Sequence, residues 1–227
     1  MTGAPVLLAA FSLPEAGPNP VSLLLLLAGM SLLPFLMVMF TSFTKISVVL
    51  SLTRSALGTQ QTPPTVVLTG LSAVLSLVVM SPVAEAMLAR VHGERMPVTP
   101  GPEMLRVLRS AAEPLRAFLL EHGNPELRAE FAALSRELRG GTEASESDLA
   151  VVAPAFVLSE LKQAFQIGFL IFLPFLVVDM VVANVLLALG MQSLSPSQVS
   201  LPFKVLLFVA VDGWALLARS LVQGYRG

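Results

Sequence analysis

The sequence predicts an all-α protein: long, kinked hydrophobic helices in two hairpins, with a small helical polar insert between them. Three observations predict it. Hydrophobic residues fill 55% of the 227 positions and charged residues only 13%, against roughly 25% charged in an ordinary soluble domain. The charges are segregated, because 19 of the 29 (14 Lys+Arg, 15 Asp+Glu) lie between Glu85 and Asp148. The uncharged runs on either side are long enough to cross a hydrocarbon core as helices. The resulting division is an amino tail at 1–20, a first hairpin at 21–84, the insert at 85–150, and a second hairpin with the carboxyl end at 151–227. A net charge of −1 without a basic cluster lacks the electrostatic footprint of nucleic-acid binding. With no Cys, disulfides, thiolate metal sites and a Cys nucleophile are excluded.

Residues 1–20 contain no Lys or Arg, and the apolar stretch 6–11 is short for a secretory signal, so this end reads as an uncleaved tail. Residues 21–44 form a run of 24 without a charge, ~36 Å as a helix, enough for a core of ~30 Å. The helical pattern continues through Lys45 to about Leu57, where Gly58 supplies a stop and Pro63-Pro64 a break. Residues 65–84 give the second uncharged run.

Within the insert, Asn124 reads as an N-cap and Pro125 as a first-turn residue. Leu127, Phe131, Leu134 and Leu138 then recur at helical spacing before Gly140-Gly141. Met104, Leu105, Leu108, Leu115 and Leu119 mark a second amphipathic helix that Pro114 bends or divides. Residues 155–189 predict a helix of ~52 Å, longer than a bilayer crossing needs and kinked at Pro174. A turn-rich stretch at 193–202 precedes the last apolar segment, 203–222. The positive-inside rule puts the first hairpin's loop, near Lys45 and Arg54, in the cytoplasm. The second hairpin gives the opposite hint, because Arg219 and Arg226 outnumber Lys204.

Lys45, Asp179, Lys204 and Asp212 lie within or beside apolar segments, at ~2.5 to 3.5 kcal/mol each if placed at a bilayer midplane. Mutual pairing offsets such a cost; the two lysines could also snorkel to an interface. The aspartates are too short for that and should face protein or a wet cavity. Thr44, Ser47, Ser51, Arg54 and Ser55 share one helical stripe suited to helix packing or a wet lumen, and Asn184 suits an interhelical hydrogen bond. No catalytic or cofactor fingerprint is present. His92 and His122, the only histidines, lie in the insert, and HExxH, GxSxG, Walker A and GxGxxG patterns are absent. Asp179 and Asp212 could in principle share a proton as an aspartyl dyad or serve an independent small-solute or proton-coupled transporter, but two Asp on different apolar segments are also what a helical assembly would use for pairing.

Two blocks carry a family resemblance. The first, residues 32–83, contains TSFTK, RSALGTQQTPP and MSPV; the second, residues 154–214, contains LSELKQAFQIGFLIFLPFLVVDM and LPFKVLLFVAVDGW. The chain resembles the FliP/SctR family, inner-membrane export-gate components of type III secretion systems, with an amino end more like the virulence branch than the flagellar one. The resemblance implies a non-enzymatic subunit without cofactor or metal. Copies of it would join two related small hydrophobic subunits in a helical, ring-like core that exports unfolded proteins. Larger export-gate and ring proteins and membrane lipid are the other implied neighbours. The assembled core would sit in the bacterial inner membrane, largely toward the periplasmic side, with Lys45, Arg54, Asp179, Asn184, Lys204 and Asp212 stabilising the assembly. In the family a methionine run closes the pore as a deformable gasket; here Met191, Gln192 and Ser193 stand there, with only the first Met kept.

Overall fold

A computed structural model describes residues 20–59, 61–93, 102–138 and 145–226. Residues 1–19 of the tail and the Gly140-Gly141 stop lie outside the described residues. The chain forms two compact units, Met1–Met37 and Val38–Gly227. Helix α1 (Pro20–Phe40) supplies the described part of the first and the opening residues of the second. In the first unit Leu24, Leu27, Met30 and Phe35 are exposed.

The second unit contains α2 (Phe43–Leu57), α3 (Thr65–Gly93), α4 (Pro102–His122), α5 (Pro125–Leu138), α6 (Leu149–Ala188), α7 (Pro196–Ala210) and α8 (Gly213–Gln223). The described residues are helical or in turns, with no strand. The sequence pattern runs unbroken to Leu57, but the helix stops at Phe40 and restarts at Phe43. Three hydroxyls explain the interruption. Thr44 Oγ1 donates to the Val38 carbonyl (2.5 Å), Thr41 Oγ1 accepts the Phe43 N–H (3.2 Å), and Ser42 Oγ donates to Ser76 Oγ of α3 (3.1 Å). Such local bonds offer the backbone an alternative to the helical ladder.

Gly58 ends α2 in the left-handed region (φ 78°), with its N–H donating to Ser55 O at 3.0 Å. Arg54 then braces the turn, donating to the Pro63 carbonyl (3.2 Å) and Thr65 Oγ1 (3.0 Å). Asn124 caps α5, its Oδ1 accepting from the N–H groups of Glu126 (2.7 Å) and Leu127 (3.3 Å). Pro114 does not divide α4, which runs through it. Ala111 on one side of the proline and Phe118 and Leu119 on the other are buried, so packing holds both halves in one helix. The final apolar segment is two helices, α7 and α8, bent by 58°. Asp212 between them adopts φ 52°, and Gly213 is so close to the Phe208 ring that a side chain there would collide with it.

One core joins the apolar helices to the insert. Ile46, Val49 and Leu50 of α2 meet Leu68 and Val79 of α3, Phe118 and Leu119 of α4, Val152 and Phe156 of α6, and Leu221 of α8. By length and composition α3 and α6 are each sufficient to cross a membrane, and up to four crossings result if each bent pair counts as one.

Candidate functional site

Where α2, α4 and α6 meet the segment after α8, four polar side chains converge. Lys45 Nζ lies 3.1 Å from Glu160 Oε1, donates to Gln163 Oε1 at 3.0 Å, and stands 3.6 Å from the centroid of the Tyr225 ring. The Tyr225 hydroxyl donates to Glu160 Oε2. Glu160 is fully buried and Lys45 is 4% exposed. Each charge answers the other, because an isolated buried ion is strongly unfavourable. The aromatic ring over the ammonium adds a cation–π contact. Burial, with the Glu160 charge beside it, pushes the Tyr225 hydroxyl well above its ordinary pKa, so it remains a donor.

A second ion pair, buried on its lysine side but with the Asp179 side chain 39% exposed, ties α7 to α6. Lys204 Nζ donates to Asp179 Oδ2 at 2.7 Å, and Ser200 Oγ donates to Asp179 Oδ1 at 2.5 Å. Lys204 also reaches the Ala56 carbonyl of α2 at 3.4 Å, extending the join to a third helix.

The residues singled out by sequence thus have separate surroundings. Asp179 and Lys204 are partners; Lys45 pairs instead with Glu160; Arg54 holds the turn before α3. Asn184 and Asp212 are exposed. Asp212 lies eight positions past Lys204, ~12 Å along a helix, and both Asp179 oxygens are already engaged, so no aspartyl dyad forms. Met191, Gln192 and Ser193 are exposed in the turn between α6 and α7. That turn is set by Gly190 (φ 72°): its N–H donates to Leu187 O and the Met191 N–H donates to Leu186 O, both at 3.0 Å, a Schellman closure. Among the described residues no three His, Cys, Asp or Glu gather as a metal-binding group.

Sequence reasoning missed Glu160, Gln163, Ser200 and Tyr225. A usable signal existed for two of them: Glu160 interrupts an apolar run, and Tyr225 is the chain's one tyrosine.

Ion pairs that each fasten one membrane-length helix to its neighbours are the arrangement of a helical membrane protein. Residues 26–221 match the FliP family, and the chain belongs to that family. It is 43% identical to the hypersensitivity response secretion protein HrcR of Ralstonia nicotianae, over 90% of this chain and 97% of the relative. It is 42% identical to Yop proteins translocation protein R of Yersinia pestis, covering 92% and 98%. The flagellar biosynthetic protein FliP of Pectobacterium carotovorum is 46% identical over 94% of this chain but 83% of its own length.

Proposed function

We infer that this chain is a core membrane subunit of a type III secretion export apparatus, a structural component and not an enzyme. The observation that carries the reading is the nearly end-to-end match, above 40% identity, to proteins named for secretion and translocation. Names from the virulence-associated systems dominate among its relatives, which favours that branch. A transporter built on Asp179 and Asp212 loses its support, because Asp179 is occupied by Lys204 and Ser200.

In this reading the chain sits in the inner membrane. Further copies, two related small hydrophobic subunits, larger export-gate and ring proteins and lipid cover its exposed apolar helices. Unfolded substrates pass through the conduit they enclose. Met191, 47% exposed at a rigidly closed helix end, lines the constriction with Gln192 and Ser193, where a flexible apolar side chain yields to a passing polypeptide. Deleting the gene is expected to abolish secretion of type III substrates, and a plasmid copy to restore it; secretion unaffected by the deletion overturns the reading. Met191→Ala is expected to assemble normally and to raise small-molecule leakage across the inner membrane. Unchanged leakage places the seal elsewhere.

A further inference from the structure

Tyr225 follows the short helix α8, yet its side chain touches three other helices. Its ring stacks on Phe118 of α4 (centroids 5.9 Å apart, planes 20° apart) and meets His122 of the same helix edge-on at 5.0 Å. The same ring faces Lys45 of α2, and its hydroxyl binds Glu160 of α6. Immediately before Glu160, Ser159 Oγ accepts the Asn124 N–H at 2.7 Å, which fastens the corner between α4 and α5 to α6. Two consecutive residues of α6 thus hold the insert's corner and the segment after α8. Removing the ring would let water reach a pair whose members are 4% and 0% exposed, and a buried ionic network weakens steeply once it is only partly satisfied.

We propose that Tyr225 is a latch: closed over the Lys45–Glu160 pair, it locks the corner of the polar insert, residues 118–124, onto the apolar helices. Opening it frees that corner, about a hundred positions away in sequence, while α2 and α6 remain packed through Ile46, Val49, Leu50 and Ala164. The device stands on contacts within one chain and does not depend on the export reading.

Hydrogen exchange on the full chain in detergent tests it. Tyr225→Ala is expected to accelerate exchange on the order of tenfold or more at 118–124 as well as at 221–226, because local opening sets these rates. Tyr225→Phe keeps the ring over Lys45 and against Phe118 but leaves Glu160 Oε2 without its donor, so 118–124 should exchange faster than in the unmodified protein yet well below the Tyr225→Ala rate. Phe208→Leu, in a separate apolar cluster with Ala56 and Phe175, should leave 118–124 protected. Acceleration confined to 221–226, equal release by Tyr225→Phe, or release by Phe208→Leu each overturns the latch. Should Tyr225→Ala fail to yield folded protein, Tyr225→Leu, which fills space without a ring face, is read by the same criteria.

Discussion

Lys45 and Glu160 face each other with almost no access to water, so the loss of either leaves its partner as an uncompensated charge. Lys45→Met and Glu160→Leu are each expected to destabilise the chain by about 3–5 kcal/mol, whereas the double substitution, which removes both charges, should recover most of that. Chemical unfolding in micelles measures it; equal and additive losses would show that the pair is not coupled. Asp212 makes a different demand, since φ 52° is tolerated by Asp, Asn and Gly but not by a β-branched side chain. Asp212→Gly should therefore leave the melting temperature unchanged or raised and Asp212→Val should lower it. His122 carries a pH signature. Burial, with Lys45 adding to it and Glu121 opposing it, holds its pKa below the ordinary 6.5. The unfolded chain then takes up the proton first, so stability is level above that ordinary value and falls as pH drops through it. His122→Gln should flatten this acid limb of the stability–pH curve. Lys45, Asp179 and Lys204 were legible in the sequence because a lone charge in an apolar run demands a partner. Glu160 and Tyr225 as the partners of Lys45 were not, since periodicity reports the face of a helix and not its neighbour across the fold.

Helix α6 packs tightly on α2 at Gly168, where an added Cβ would strike the side chain of Leu52, its Cβ and Cγ included at 3.2 and 3.3 Å. Gly168→Val should force these helices apart at a cost of about 1–3 kcal/mol, read as a lower unfolding midpoint, with Leu52→Ala restoring part of the loss. No loss at all would mean that Leu52 moves aside freely. Local chemistry made several boundaries readable: Gly58 takes a left-handed φ, prolines follow it, and Asn124 caps two N–H groups of α5. Breaks made by tertiary structure were silent. The stop at Phe40 depends on Ser42 reaching Ser76 thirty-four positions away, and the corner at Asp212 puts positive φ on a residue without the usual glycine. Pro114 shows the converse, a local breaker overridden by burial on both sides.

Only 11% of the most apolar window of α6 is buried within the chain. Phe165, Phe169, Leu170, Leu176, Val177 and Val181 are each more than half exposed, and with Val199 and Phe203 of α7 two of them line a wholly apolar groove. From Leu158 to Leu187, both exposed, apolar side chains stand out along ~44 Å of helix, interrupted by exposed Lys162 and Gln166, against ~30 Å for a hydrocarbon core. A single bilayer crossing near the membrane normal therefore cannot cover both ends, and apolar surface left in water is unfavourable by roughly 25 cal/mol per Å². In the export reading, neighbouring subunits cover the remainder. Because the sequence holds no Cys, single cysteines at Leu158, Phe169 and Leu187 can each carry a photo-crosslinker without background. In cells making the whole secretion apparatus, Leu158→Cys or Leu187→Cys is expected to give protein adducts that vanish when the chain is made alone. Lipid adducts at all three positions under both conditions would instead mean that the bilayer covers the full length of α6 by tilt or thickening, and that the export reading must find its subunit contacts on another helix.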